Sequence, residues 1–265
     1  MKRLVIACVV LLVLVPAARG GVVVEMGVTT PESPEDAGTE TFYAQGEMAR
    51  MDMPGEGELG SVIFHDQTMY FVDHKKKTCQ EITKQDVDQL AEQLGEMTKE
   101  LDKLPPEQRA MMEQMMKGKM PGTKEPPTQN VEKGGTDQVG EYTCTMYTLY
   151  SNDEKVEDVC MADASVGADI AEAMGAFHAL ARFSEGLMDV AESLPFGKSL
   201  EIPFQKVYEM DGFPVRTRRY DSDGYLVEER VLQSVTRRDI EPEVFEPPKG
   251  YKIKSLGAEL KKGKH

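Results

Sequence analysis

Cys144 and Cys160 stand symmetrically about Asn152 in a chain that has four cysteines. Ser151-Asn152-Asp153-Glu154 is a set of turn formers, and a hairpin centred there places the two cysteines directly opposite, within reach of a cross-strand disulfide. Two reduced buried thiols, or a bond from Cys79 to either, are the alternatives, and no CxxC redox motif is present. Met111, Met112, Met115, Met116 and Met120 form a second cluster. Thioethers bind soft Cu(I), but the same spacing makes the apolar face of a short helix. No histidine is near in sequence and no MxxM array repeats, so core packing or groove lining is the better reading. His65, His74 and His178 are the internal histidines, and none has a partner at zinc-ligand spacing. They read as surface, edge or structural residues, and no metal site is assigned.

Motif look-alikes fail on their chemistry. Gly197-Lys198-Ser199 resembles the end of a phosphate loop, but Glu192 sits where the first glycine is needed. Asp221-Ser222-Asp223-Gly224 resembles a calcium loop, but that alignment puts Arg219 and Arg230 at the first and last ligand positions. There is no GxSxG or HExxH. No catalytic residue and no cofactor follow from these residues. Arg216, Arg218, Arg219, Arg230, Arg237 and Arg238 concentrate positive charge on an acidic chain. Cross-strand pairing with Glu228 and Glu229 accounts for part of this charge. Arg216, Arg218 and Arg219 remain a candidate surface for an anionic partner.

The elements that must position these residues alternate between two periods. Val22 to Val28, Thr41 to Gln45, Glu47 to Met53, Leu59 to Phe64, Thr68 to Asp73 and Thr78 to Ile82 read as strands of an antiparallel meander. From Gln85 to Leu104 the apolar positions Val87, Leu90, Leu94, Met97, Leu101 and Leu104 are three and four apart, which predicts an amphipathic helix. The methionine segment follows Pro105-Pro106, and residues 121–137 read as a loose linker. Strands return at Gly140 to Tyr150 and Lys155 to Met161. A helix over about Ser165 to Ser193 carries Ile170, Met174, Phe177, Ala181, Leu187 and Met188, and strands follow at Leu200 to Met210, Phe213 to Tyr220 and Tyr225 to Arg237. A two-residue turn at Asp223-Gly224 pairs Arg219 with Glu228 and Arg218 with Glu229.

The start of the chain reads as a leader. Lys2 and Arg3 precede an apolar run from Leu4 to Val15, too short for a membrane span of roughly 20 residues. Pro16 breaks it, and Ala18-Arg19-Gly20 sets up a cut before Gly21. A lipoprotein reading at Val5-Ile6-Ala7-Cys8 is weaker, because few apolar residues precede Cys8. Cleavage removes three basic residues and no acidic one, taking the formal charge from −15 to −18. An anionic body repels phosphate backbones, so nucleic acid is not an expected partner. Export also makes a disulfide chemically reasonable and leaves Cys79 as the odd thiol. The organisation expected is a leader over 1–20, one domain over 21–254 with a helical insertion at 84–120 and a linker at 121–137, and a basic tail over 255–265. The mature chain has no expected transmembrane segment.

Thr41-Phe42-Tyr43 through Gly46-Glu47-Met48-Ala49-Arg50-Met51-Asp52, Val62-Ile63-Phe64, Met69-Tyr70-Phe71-Val72-Asp73 and Lys77 to Ile82 carry a resemblance, as do Gly212-Phe213-Pro214-Val215-Arg216, Val231 to Val235 and Phe245 to Tyr251. The pattern resembles an exported bacterial family of the DUF-4412 type, which is similar to the LolA-like periplasmic lipoprotein-carrier superfamily. The resemblance implies an α+β fold, an unclosed antiparallel half-barrel wrapped around amphipathic helices, and brings no catalytic residues. A curved sheet lidded by helices is a natural container for an acyl chain. The leading expectation is a non-catalytic periplasmic or secreted binding or carrier protein for an apolar lipid or acyl ligand, with Leu90, Leu94, Met97, Met112, Met116, Met174 and Phe177 lining or capping the cavity. The alternative is an envelope interaction or stress-sensing protein that presents its arginine-rich hairpin to a protein partner.

Overall fold

Val22, Val23 and Val24 place β-branched side chains on both faces of one strand, a pattern suited to a strand covered on both sides. The computed structural model describes residues 20–32, 37–54, 60–105, 108, 129–163, 167–192, 210 and 212–258. In it this run is β1 (Gly21–Thr29), which lies inside a 12-stranded sheet. The other strands are β2 (Gly38–Gln45), β3 (Met48–Asp52), β4 (Ser61–His65), β5 (Thr68–Asp73), β6 (Thr78–Thr83), β7 (Gln129–Val139), β8 (Tyr142–Ser151), β9 (Glu154–Ala162), β10 (Phe213–Tyr220), β11 (Leu226–Arg238) and β12 (Lys252–Ser255). Their order across the sheet is β12-β6-β5-β4-β3-β2-β1-β11-β10-β9-β8-β7, so the sheet is not closed and has two edges. Every pairing is antiparallel except that of β12 with β6.

The tight connections carry the residues that left-handed turns demand. Asp66 and Gln67 between β4 and β5, and Asn152 and Asp153 between β8 and β9, all have positive φ, the signature of hairpin turns that match strand twist. Helix α1 (Lys84–Asp102) follows β6 at once. Its start is a reciprocal cap: the Asp86 backbone N–H donates to Thr83 Oγ1 (3.1 Å) and the Thr83 backbone N–H to Asp86 Oδ2 (2.9 Å).

Helix α2 (Ala168–Glu192) lies on one face of the sheet and contacts β1, β2, β3, β10 and β11. Phe177 of α2 meets Phe42 of β2 and Phe213 of β10, with ring centroids 6.4 and 5.8 Å away, and those two rings are 5.9 Å from each other. Three strand spacings separate β2 from β10, about 14 Å in a flat sheet. The sheet therefore curls toward α2. Val22 and Val24 face this core, whereas Val23 faces the opposite side. There the segment after β11 folds back, and Ile240, Val244, Phe245 and Tyr251 cover Ile63, Tyr70, Val72 and Cys79.

Several expectations need correction. Residues 129–137 of the expected linker belong to β7. Gln, Asn, Asp and two glycines have little strand propensity, but β7 is an edge strand, where polar residues are favoured, and its register breaks between Lys133 and Thr136 around Gly134-Gly135. Short β12 gave no periodic signal and arises by pairing with β6. Asp223-Gly224 is not a two-residue turn: Tyr220 pairs with Leu226, and Asp221 Oδ1 accepts from the backbone N–H of Asp223 and Tyr225. The expected leader through residue 19, residues 106–107 and 109–120 of the helical insertion, linker residues 121–128, the strand residues 200–209 and the tail from 259 lie outside the described residues.

Candidate functional site

The curled face divides into two zones. Near the strand ends marked by Gly21, Gln45, Met48 and Arg238, α2 crosses the sheet. Arg237 of β11 holds Asp169 and Glu172 of α2 at 2.8 Å each, and Phe183 of α2 meets Phe64 of β4 at 5.4 Å between ring centroids. Ile170, Ala173, Ala176, Phe177 and Leu180 are buried there. The shared core includes Met26, Met69, Met161 and Met210, with Met51, Met146 and Met174 packed against it. Of the residues expected to line a cavity, Phe177 is thus a buried core residue and Met174 flanks the same core. Leu90 packs in a separate small cluster with Ile82, Val87 and Phe71. Leu94 and Met97 lie on α1 with side chains outside the description, and Met112 and Met116 fall outside the described residues.

The second zone is charged. Arg230 Nε reaches Glu40 Oε2 at 3.1 Å, which crosses over β1 from β11 to β2, and Arg230 Nη1 reaches Glu228 Oε1 at 2.5 Å. Arg219 Nη2 stands 3.6 Å from Glu228 Oε2, and Arg219 pairs in register with Glu157 of β9. Glu40 shares its face with Phe42, two residues on, and Glu157 is opposite Leu149, so this row lies on the core side of the sheet. Burial pushes the carboxyl of Glu157 up to about 7 and that of Glu40 above its ordinary range, with Arg230 pulling the other way in both. Sequence reasoning found the Arg219–Glu228 pair but not Glu40 or Glu157. The available signal was that Glu228 and Arg230 alternate onto the face of Leu232.

The arginines expected to form a partner surface are engaged. Arg216 pairs with Asp137 of β7 at 2.5 Å, Arg218 with Glu229 at 2.6 Å and Arg219 with Glu228. Cys144 and Cys160 are bonded, with Cα atoms 5.3 Å apart. They are diagonal neighbours rather than directly opposite, because the turn is the pair Asn152-Asp153 and a register shift between Leu149 and Tyr150 adds one residue more, which together set Cys160 against Met146. Cys79 is a buried free thiol, pushed up to about 11 by burial and by Glu81.

A serine, a histidine and an aspartate meet on the sheet without the geometry of a catalytic triad. Ser61 Oγ donates to Asp52 Oδ1 (2.6 Å), His74 Nε2 lies 2.8 Å from Ser61 Oγ, and His74 Nδ1 meets the Tyr251 hydroxyl at 3.0 Å. Ser61 is 0% exposed, and its partner carboxylate does not orient the imidazole. The chain of bonds instead ties the C-terminal segment to β3, β4 and β5, and Arg50 adds a bond to the Val244 carbonyl. Gly60 is required beside it, since a Cβ there would run into the His74 ring. The glycine spacing of Gly55, Gly57 and Gly60 leads into β4 rather than a helix, so it lacks the helix N-terminus of a dinucleotide loop. Among the described residues no group of three His, Cys, Asp or Glu is arranged to hold a metal, and no helix is long and apolar enough to cross a membrane.

A family model described as Domain of unknown function (DUF4412) matches residues 93–251. No curated protein matches the chain. Solved structures similar to it include an uncharacterized conserved protein from Thermus thermophilus, with 9% identity over 89% of this chain and 91% of that one and a TM-score of 0.43. Another is the complex of MucA and MucB from Pseudomonas aeruginosa, at 8% identity over 87% and 56% of the two chains and a TM-score of 0.36. A third is a LolA superfamily protein from Nitrosomonas europaea, at 8% identity over 87% and 90% and a TM-score of 0.24.

Proposed function

The chain belongs to the DUF4412 family, and we propose that it is a non-catalytic extracytoplasmic binding or carrier protein for an apolar ligand, a lipid or acyl chain. The observation that carries this reading is the composition of the curled face. Six methionines of that face, Met26, Met51, Met69, Met161, Met174 and Met210, line or flank the core that α2 shares with the sheet. Methionine is unbranched and polarizable, so such a face repacks around an added alkyl chain at smaller cost than one of valine and isoleucine. The two edges of the sheet leave its curl free to widen. Export is supported by the start of β1 at Gly21, directly after the expected cut, and by the disulfide, which suits an oxidising compartment.

Native mass spectrometry of the exported protein, purified without detergent, tests the reading. Adducts of lipid mass that disappear on organic extraction, together with saturable binding of cis-parinaric acid by the stripped protein, are expected. Bare protein mass and no probe binding would sink it. Docking of a protein partner through Arg216, Arg218 and Arg219 has less support, because such a partner must displace Asp137, Glu229 and Glu228.

A further inference from the structure

Two segments far apart in sequence bring six lysines to one corner of the sheet. His74-Lys75-Lys76-Lys77 makes the turn from β5 to β6, and Lys249-Gly250-Tyr251-Lys252-Ile253-Lys254 leads into β12, the edge strand beside β6. The Lys252 backbone N–H donates to the Lys77 carbonyl (3.0 Å), and the Tyr251 hydroxyl meets His74 Nδ1 at 3.0 Å, so the two segments are joined. All six lysines are exposed, and neither segment holds an acidic residue. The neighbouring carboxylates have other partners: Asp73 holds Lys76 at 3.1 Å, Glu81 accepts from the Tyr70 hydroxyl, and Glu246 stands 3.8 Å from His65. On a chain of net charge −15 this corner reverses the local sign. Ile253, 51% exposed, stands between Lys252 and Lys254 and is the one large aliphatic side chain left exposed among the described residues. Lysines on an edge strand also discourage strand addition, which accounts for Lys252 and Lys254 but not for Lys249 or the turn.

We infer that this corner docks the protein on an anionic lipid surface, the ammoniums against lipid phosphates and Ile253 in the interface. Elsewhere on the sheet arginine closes ion pairs, at Arg50, Arg216, Arg218, Arg230 and Arg237. The corner has lysine alone. A guanidinium fork fits one fixed carboxylate, whereas an ammonium is a hydrated point charge that suits mobile head groups. A basic cluster with one apolar side chain gives weak, reversible attachment. The acidic remainder of the chain is repelled by the same surface, so the protein meets it corner first. The turn from β5 to β6 lies at the strand ends away from α2, because the turns of the meander alternate ends from Gln45–Met48 onward. The docked protein therefore turns toward the lipid the end of the curl that α2 does not cross. This docking does not depend on the apolar-ligand reading, since the surface itself is the partner.

Flotation of the exported protein with vesicles tests it, comparing equal parts of phosphatidylglycerol and phosphatidylcholine with phosphatidylcholine alone. Binding to the mixed vesicles at low salt is expected to be at least tenfold tighter, and to be lost at about 0.5 M salt. Lys75→Glu combined with Lys254→Glu is expected to weaken it at least tenfold, with an unchanged circular dichroism spectrum showing that the variant is folded. Lys133→Glu combined with Arg182→Glu makes the same change in net charge on β7 and α2, and is expected to bind as the parent does. Equal binding to both vesicles, binding that survives high salt, or an equal loss in the two variants overturns the docking corner. Tighter binding of a polyglutamate peptide than of the mixed vesicles would assign the corner to an acidic protein partner and overturn the lipid surface. None of these readouts involves the curled face, so the apolar-ligand reading stands or falls by its own test.

Discussion

Glu157 sets the protonation behaviour of the fold as well as the charge of the candidate site. Its folded pKa of about 7 lies above the ordinary 4.5 of a glutamate, so the native protein holds this proton over a range in which the unfolded chain has lost it. The associated stability is fully present below 4.5 and is lost as the pH rises through 7. Glu157→Gln is therefore expected to match the parent in urea denaturation at pH 4 and to exceed it at pH 8 by up to about 3 kcal/mol. An equal difference at both pH values would show that the substitution acts by packing alone. Glu40 works in the same direction, whereas Asp137 and Asp158 are held below their ordinary range, Asp137 chiefly by Arg216 and Asp158 by its hydrogen bonds to Lys155, Tyr220 and Thr148. Those two stabilise the fold above the ordinary aspartate range and lose that contribution on acidification.

At the scale of elements, α2 depends on one ring. Phe177 fills the space between Phe42 and Phe213, and Phe177→Ala leaves a hole in a core that curls around it. A loss of about 3 to 5 kcal/mol in chemical denaturation is expected, and a loss below about 1 kcal/mol would mean that the face collapses onto the gap. This helix and α1 were legible because their apolar spacing is long and regular. The meander β2 to β6 was legible from short alternating runs and its turn residues. β7 was not, because an edge strand needs no apolar face and its sequence reads as a linker. The charge pairs Arg218–Glu229 and Arg219–Glu228 were legible, whereas the bulge that lengthens their turn was not. The Cys144–Cys160 pairing followed from symmetry about Asn152, but a two-residue turn and a register shift, both invisible in spacing, made the cysteines diagonal neighbours. The Glu40–Arg230 contact lay beyond local reasoning, because it joins strands that meet only through curl across β1.

For the whole molecule, the position of β1 bears on export. Cleavage before Gly21 leaves a mature chain that begins inside a strand paired on both sides, with Ala44 and Arg237 facing Val22. Amino-terminal sequencing of the exported protein is expected to read Gly-Val-Val-Val-Glu, and a start at Cys8 or an unprocessed Met1 would contradict it. The same topology orders events in time. Strands β2 to β6 and β7 to β9 form two local meanders, each able to assemble from neighbours in sequence. β1 is the seam between the halves, and its partner β11 comes after every strand of both meanders. Long-range pairing is slow to form. Under the proposed export, β1 has no complete docking place until both meanders and β11 have been made, which would delay completion of the native sheet and leave the residues before β1 free to be threaded.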